Sequence, residues 1–347
     1  HSLKSLTGIL RISDKHSAMK VSPKIYSPKE LLQILTSAIR AEEFSVAHGQ
    51  HCIIVDARDL RTPMRLKQLP NCPLIALHPD STFNVATTVS SDFDCVVSEQ
   101  ELEPVIAGIR AQPIAASTLC HLLRHSQNLT IEQALTAESM AYGLLQSSVG
   151  FRNWLATRPQ WTPSAVDAIA VKTSRNRDDL LISLNRPQKH NAYNEQMRDE
   201  LSAALQLAIE DQSIRKVVLR GAGASFSAGG DLTEFGSVDD AGVAHIARTT
   251  RSPGLLLSRI SDRVTVEVQG ACVGAGIELP AFCAHIHAQE DAYFKLPEVA
   301  LGLVPGAGGT VSITRRIGRQ ATAKLALSGI TIDAQHALAI GLIDKVG

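Results

Sequence analysis

The chain has 347 residues, of which 44% are hydrophobic and 20% charged, and this balance predicts a globular protein with two modules rather than one. Lys plus Arg and Asp plus Glu both number 34, so the formal net charge is zero and a nucleic-acid partner, which requires a basic surface, is not expected. The apolar runs are far shorter than the roughly 20 residues needed to span a bilayer, which predicts that the chain is not a membrane protein.

The first residues and the cysteines predict the compartment. The chain starts at His1 without an initiator methionine and without a charged-then-apolar signal segment, so we expect a trimmed chain and not a secretory precursor. Its six cysteines form no C-x-x-C pair, which predicts buried, reduced thiols in a cytoplasmic protein. The 12 histidines are scattered and form no H-E-x-x-H motif, so no metal site is predicted.

The N-terminal half begins with a predicted helix over residues 27–50, with Ser27 as the N-cap and Pro28 at the first helical position. Short apolar segments then predict strands at 52–55, 74–77 and 93–97. Residues 99–158 show a helical pattern that is broken at Pro113 and at 126–128. The two prolines of 159–164 predict the boundary between the modules.

The C-terminal half alternates between predicted strands and helices. A hairpin is predicted from strands at 169–173 and 180–184, followed by a helix over 194–212 and a strand at 217–219. Two further strands, at 264–268 and 293–296, each lead into a glycine-rich loop, at 270–276 and 302–309, and a single helix is expected over 236–258. This alternation predicts parallel strands joined by crossover helices.

Two glycine-rich loops, at 225–232 and 270–279, each precede an expected helix. At such a position free N–H groups converge and the helix dipole favours negative charge. One loop of this kind is most simply a tight turn. Two of them in this order, together with the carboxylates that follow, predict a site for an anionic group.

Two glutamates occupy unusual sequence surroundings. Glu278 lies in an otherwise apolar segment, and Glu298 follows the turn residue Pro297. Taken singly, Glu278 could be a charge near a helix N-terminus and Glu298 a solvated loop acid. A carboxylate buried alone costs several kcal/mol, so it must be paired, protonated or functional. If the fold brings the two together, like-charge repulsion raises one pKa and creates an acid and a base, which suits the addition or removal of water.

These residues resemble the crotonase, or enoyl-CoA hydratase/isomerase, family over roughly residues 166–347. The matching segments are LNRP at 184–187 with NA at 191–192, FSAGGD at 226–231, GAGIEL at 274–279, PEVALGLVPGAGGT at 297–310 and the stretch 333–344. The resemblance implies an α/β fold, the ββα superhelix of crotonases, here with an N-terminal α/β-to-helical module.

The resemblance also implies roles for individual residues. The N–H groups of Gly230 and Ala275 would form an oxyanion hole for the thioester, with donors of this kind contributing about 3–4 kcal/mol each. Glu278 and Glu298 fall where hydratases of the family keep their catalytic glutamates. Gly306, eight residues after Glu298, is typical of hydratases, whereas dienoyl isomerases have an acid there. Ala275 departs from the commoner glycine, and its methyl group could tighten the thioester pocket.

Further residues of these motifs are expected to bind the substrate. Lys189 and Arg186 are candidates for the CoA phosphates, although an idle surface charge is an equal alternative. No cofactor is expected, because the CoA thioester is the substrate. The remaining expected contacts come from Ala192, Ala228, Gly229, Asp231 and Gly276.

The N-terminal half carries a second resemblance. Segments 129–138 and 151–159 are similar to the C-terminal helices of the same family, and 105–124 to the helices before them. We therefore interpret residues 1–160 as a degenerate copy of the fold, which could supply the helices that family members carry after the position of Gly347. The alternative is an unrelated helical domain with a shortened C-terminus.

The resemblance thus implies a hydro-lyase of fatty acid metabolism that adds water to a trans-2-enoyl-CoA and assembles as a homo-trimer or hexamer, which we expect to be cytoplasmic. The same fold also serves isomerases, thioesterases, decarboxylases and a cofactor-independent oxygenase. A catalytically silent scaffold is the alternative from a different class, against which both glutamates argue. The sequence does not fix the acyl specificity.

Overall fold

The structure is a computed structural model that describes residues 24–37, 42–61, 64, 66, 68–79, 92–158 and 169–347. The predicted boundary at 159–164 and the predicted start of the second module at Val166 lie outside the described residues. None of the helices in the described ranges combines the length and apolarity needed to cross a membrane. All six cysteines lie in described positions and are buried and free, as predicted.

A small parallel sheet forms the first part of the described chain. Its four strands, in the order β1-β2-β3-β4, are β1 (Ile25–Tyr26), β2 (Ile53–Asp56), β3 (Leu74–Leu77) and β4 (Cys95–Val97). Helix α1 (Pro28–Leu35) begins with a capping box between Ser27 and Glu30. The prediction of one helix to residue 50 was wrong: Thr36 caps α1, and Val46–His48 form a 3₁₀ turn.

Four helices follow this sheet: α2 (Glu99–Ala111), α3 (Pro113–His125), α4 (Ile131–Gln146) and α5 (Val149–Ala156). The predicted breaks at Pro113 and 126–128 are confirmed. Pro113 starts α3 because its fixed φ suits the first helical position, and Thr130 caps α4 by accepting from the Gln133 N–H.

The C-terminal half contains a large sheet of six strands in the order β13-β10-β8-β7-β6-β5. These strands are β5 (Val171–Asn176), β6 (Asp179–Leu184), β7 (Lys216–Gly221), β8 (Val264–Val268), β10 (His285–Ala288) and β13 (Lys345–Val346). The predicted hairpin is confirmed: β5 and β6 are antiparallel, and the turn is only Arg177 and Asp178 long. All other neighbours pair in parallel.

A second, three-stranded sheet lies beside the glycine-rich loops. It consists of β9 (Ala271–Val273), β11 (Tyr293–Lys295) and β12 (Ile332–Asp333), in the order β12-β11-β9. The prediction that 270–276 is a continuous loop was therefore incomplete, because β9 pairs in parallel with β11. This pairing fixes the chain immediately before Gly274.

The helices of this half are α6 (Glu195–Glu210), α7 (Ala241–Thr250), α8 (Pro253–Arg259), α9 (Ala275–Glu278), α10 (Gly309–Ser328, kinked at Gly318) and α11 (Ala334–Ala339). The expected single helix over 236–258 was wrong. Proline at position 253 cannot continue a helix from α7, and Ser252 instead caps α8 through the Leu255 N–H. The parallel strands with crossover helices confirm the predicted α/β class.

The helices of the two halves share a core. Helix α10 packs against α2, α3, α4 and β4, and their apolar side chains belong to one buried cluster that extends from residue 52 to residue 343. At Gly108 the contact is backbone to backbone, because a Cβ added there would lie 1.9 Å from the carbonyl oxygen of Leu327. Helices α2–α5 are therefore an integral wall of the C-terminal fold.

Candidate active site

The two glycine-rich segments lie side by side. The Ser227 N–H donates to the Ala271 carbonyl oxygen at 3.0 Å, and the Val273 N–H donates back to Ser227 at 3.0 Å. This single bridge joins the first loop to β9. It places Gly230 and Ala275, which follow the bridged residues, on one cavity.

The first loop is held by buried polar side chains. Arg186, 1% exposed, forms an ion pair with Asp231 at 2.9 Å, and Asn191 donates to the Ala222 and Ser225 carbonyl oxygens at 2.8 Å each. Asp231 also accepts from the Thr233 N–H at 3.1 Å, which turns the chain. The expected helix directly after this loop was wrong, since turns follow until α7.

The N–H groups of Gly230 and Ala275 are candidates for binding a ligand oxygen. Both residues line the cavity, and within the described part of the chain neither N–H donates a hydrogen bond to another group. The hydrogen bonds that flank Gly230 are made by its neighbours: Tyr193 N–H donates to Gly229 at 2.7 Å and Asp231 N–H to Tyr193 at 2.8 Å. The Gly230 N–H thus finds no acceptor among the described residues, although its neighbours in the loop are hydrogen-bonded.

The two glutamates meet at Gly274. Glu278 ends α9, and Glu298 begins a 3₁₀ turn that is followed by Gly302. A Cβ added to Gly274 would lie 2.4 Å from Glu298 Oε1 and 3.7 Å from Glu278 Oε1. The two carboxyl groups are therefore close neighbours, and a side chain at position 274 would fill the space between them. Gly274 also has a φ of +49°, which favours glycine.

Glu278 is buried and fixed by backbone donors. Its Oε2 accepts from the Ala307 N–H at 2.8 Å and from the Gly309 N–H at 2.9 Å. Burial raises the pKa of Glu278 to about 7, and the two amide hydrogen bonds oppose that rise. A carboxyl group with such a pKa can exchange a proton near neutral pH.

Glu298 is buried without a hydrogen-bond partner on one oxygen. Its Oε2 is shielded from solvent and contacts no donor among the described residues. Burial, reinforced by the nearby charge of Glu278, raises the pKa of Glu298 well above its ordinary value. Like-charge repulsion was predicted from the sequence as the cause of a raised pKa, but burial contributes more to the rise at Glu298. Glu298 is thus suited to carry a proton at neutral pH.

Comparisons with known proteins identify the family. The family model described as enoyl-CoA hydratase/isomerase matches residues 176–347. The 2,3-dehydroadipyl-CoA hydratase of Escherichia coli strain K12 is 38% identical over 173 residues, which cover 50% of this chain and 67% of that protein. The chain belongs to the enoyl-CoA hydratase/isomerase family.

Other members of the family match the same half. The mitochondrial enoyl-CoA hydratase of Pongo abelii is 36% identical over 195 residues, covering 54% of this chain and 66% of that protein. The crystal structure of an enoyl-CoA hydratase from Thermoplasma volcanium GSS1 matches at 34% identity, with a TM-score of 0.48, over 52% of this chain and 72% of that one. The chain thus spans about two thirds of the length of these relatives.

The cavity bounded by these residues has a volume of about 440 Å³. Of the residues expected from the enoyl-CoA hydratase/isomerase motifs, six line it: Gly230, Asp231, Ala275, Glu278, Glu298 and Gly306. The other expected substrate contacts do not line this cavity; they are Lys189, Ala192, Ala228, Gly229 and Gly276.

Arg186 and Lys189 are directed to Asp231. Since Arg186 is buried in its ion pair, the expectation that it meets the CoA phosphates was wrong. Lys189 Nζ lies 3.9 Å from Asp231 Oδ2, and the Lys189 side chain is 29% exposed.

Residues of the N-terminal half complete the cavity, and they were not predicted from the sequence. Glu138 and Tyr142 of α4 line the same wall as Gly306. A Cβ added to Gly306 would lie 2.4 Å from the Tyr142 ring, so an acidic residue at position 306 would require that ring to move. This contact gives a steric reason for glycine at position 306, where the family resemblance implies glycine in hydratases and an acidic residue in dienoyl isomerases.

Substitution of Glu298 by glutamine is expected to stabilise the fold at high pH. The folded-state pKa of Glu298 is raised, so the folded protein keeps this carboxyl group protonated at pH values where the unfolded chain has lost the proton. The contribution of Glu298 to the free energy of unfolding is therefore complete below its unfolded pKa and is lost as the pH rises through its folded pKa. Glutamine does not titrate. The stability advantage of Glu298→Gln over the wild type should therefore grow as the pH rises from about 5 to about 8.

Urea denaturation of both proteins at the two pH values measures this difference. The matched control is Glu290→Gln, since Glu290 is exposed and its variant should follow the wild type. Equal pH dependence of Glu298→Gln and wild type would contradict the burial argument.

Proposed function

We propose that this protein adds water to the double bond of a trans-2-enoyl-CoA thioester. The observation that carries the proposal is the convergence of two buried glutamates, Glu278 and Glu298, on a cavity that two unused N–H groups also line. The relatives named above are hydratases, which supports the same reaction class here.

In the proposed reaction the thioester carbonyl oxygen accepts hydrogen bonds from the N–H groups of Gly230 and Ala275. Attack of water on the β-carbon moves the double-bond electrons toward this oxygen, and the negative charge of the enolate develops between the two donors. Donors already in place stabilise this charge more than they stabilise the neutral thioester. The rate gain therefore comes from the transition state.

The two glutamates supply the proton transfers. Glu278, held as a hydrogen-bond acceptor by two amides, takes a proton from the attacking water. Glu298, whose pKa burial raises, gives its proton to the α-carbon as the enolate collapses. A proton then passes from Glu278 to Glu298 and restores the starting state. One water is consumed, and the product is a 3-hydroxyacyl-CoA.

The proposal is tested by following the conjugated-thioester absorbance of crotonyl-CoA, and of longer and carboxyl-terminated 2-enoyl-CoAs, after addition of the full chain. Rapid loss with at least one of these substrates is expected. Binding of a CoA thioester in calorimetry without any loss of absorbance would contradict hydration and redirect the assignment to another acyl-CoA reaction.

A further inference from the structure

A third buried glutamate lies next to the catalytic pair. Glu138, on α4 of the N-terminal half, is 2% exposed. Its carboxyl oxygens accept from the Gly308 N–H at 2.7 Å, the Thr310 N–H at 2.9 Å and the Thr310 hydroxyl at 2.6 Å. This side chain reaches across the shared core to the start of α10.

The four amides at the start of α10 are divided between two carboxyl groups. Ala307 and Gly309 donate to Glu278, whereas Gly308 and Thr310 donate to Glu138. The first amides of a helix have no partner within the helix, and its dipole favours negative charge beside them. Successive amides of this turn therefore donate alternately to Glu278 and to Glu138. A shift of the turn toward or away from Glu138 also moves the amides that donate to Glu278.

We propose that Glu138 is a positioning residue for hydration, which holds the turn at 306–310 so that the Ala307 and Gly309 amides keep Glu278 aligned. The inference rests on the proposed function. It makes the N-terminal half part of the active site, because the residue that aligns the water-activating glutamate comes from α4. Glu138 itself acts through the turn and not on the reacting atoms.

The ionisable groups around Glu138 and Glu278 come from several elements. Glu278 itself faces Glu138, and Glu298, Tyr142 and Arg248 also lie within electrostatic range of one or both. Burial raises the pKa of Glu138 to about 8, and the charge of Glu278 adds to that rise. On α7 Arg248 is tied to Ser139 by a hydrogen bond of 3.0 Å, so it does not neutralise Glu138 by direct contact.

The first test is kinetic. Glu138→Gln replaces one accepting oxygen by an NH2 group, so that two hydrogen-bond donors face each other where the turn now donates to Glu138. We expect kcat to fall roughly 10- to 100-fold, as for a small displacement of a reacting group, with KM within roughly twofold of wild type. Because the effect passes through Glu278, adding Glu138→Gln to a Glu278→Gln variant should cause no further loss. An equal loss in both backgrounds would overturn the proposal.

A matched control separates positioning from general packing. Arg315 Nη2 donates to the Leu129 carbonyl oxygen at 2.9 Å, which also ties α10 to the start of α4 but does not touch the turn. Arg315→Met should lower thermal stability and leave kcat unchanged. If it lowers kcat as much as Glu138→Gln does, Glu138 serves only packing.

The second test does not depend on hydration. Hydrogen exchange at the Ala307 and Gly309 amides should quicken in Glu138→Gln and stay slow in Arg315→Met. Unchanged exchange in Glu138→Gln would overturn the positioning role, whereas absence of hydration by the wild type would defeat only the proposed function.

A second variant serves if Glu138→Gln does not fold. Thr310→Val removes one of the three donors to Glu138 and should quicken the same exchange to a smaller extent. No change in exchange in Thr310→Val would also overturn the proposal.

Discussion

Glu298→Gln is expected to lower kcat for enoyl-CoA hydration by about 10³-fold, within the range found for a general acid. Glutamine keeps the shape of the side chain but cannot deliver a proton from the position of the unpartnered Oε2. Substrate binding should change little, because the lost interaction operates in the transition state. Initial-rate kinetics with the best 2-enoyl-CoA substrate measures both quantities.

Two comparisons make this prediction specific. Glu290→Gln removes an exposed carboxylate and should retain wild-type kcat. Glu278→Gln should lose activity to a similar degree, because it removes the group that takes the proton from water. Retention of more than a tenth of the wild-type kcat by Glu298→Gln would contradict its role as the proton donor.

Ala275→Pro is expected to lower kcat by about 10²- to 10³-fold, the usual cost of one oxyanion donor. Proline removes the N–H, and no hydrogen bond of the fold is lost, because this N–H donates to no other group among the described residues. Proline is also tolerated at the first position of a helix, which Ala275 occupies in α9. The kcat of the variant, with its melting temperature as a check on folding, measures the effect.

The control for this prediction is Ala275→Gly. Glycine keeps the N–H and removes only a methyl group, so activity should stay within roughly threefold of wild type, as for a small change in an apolar pocket. Equal kcat values for the proline and glycine variants would show that the N–H of residue 275 does not bind the thioester oxygen.

Much of the C-terminal site could be predicted from the sequence, because its chemistry lies in short segments. The strands before each glycine-rich segment and the apolar residues around Glu278 are local signals, and the structure brings Glu278 and Glu298 together as expected. The helix limits were less predictable. The prediction of one helix over 236–258 overlooked Pro253 as a helix start, although that signal was present.

Glu138 was not predicted, since its partners lie about half the chain away. One local signal could have drawn attention to it. On α4, Ala134, Glu138 and Leu145 are all buried, at spacings of four and seven residues that place them on one face of the helix. A glutamate on the apolar face of an amphipathic helix requires a partner, but the sequence cannot say which one.

The N-terminal half illustrates a further limit. The two breaks predicted for it give three helical segments, whereas the structure has four helices, because Ser147 and Ser148 separate α4 from α5. The packing of these helices against α10 depends on contacts such as Gly108 with Leu327 that no local pattern encodes. The origin of this half as a degenerate copy, the trimer or hexamer and the cytoplasmic location stay predictions.

The central claim is the addition of water, and the most direct measurement is mass spectrometry of the product formed from crotonyl-CoA, or from the best 2-enoyl-CoA, in water labelled with heavy oxygen. Hydration predicts a 3-hydroxyacyl-CoA that is heavier by one labelled water, and about 10³-fold slower formation of the same product by Glu298→Gln. A product of unchanged mass, with the double bond moved and no label incorporated, would contradict hydration and identify an isomerase.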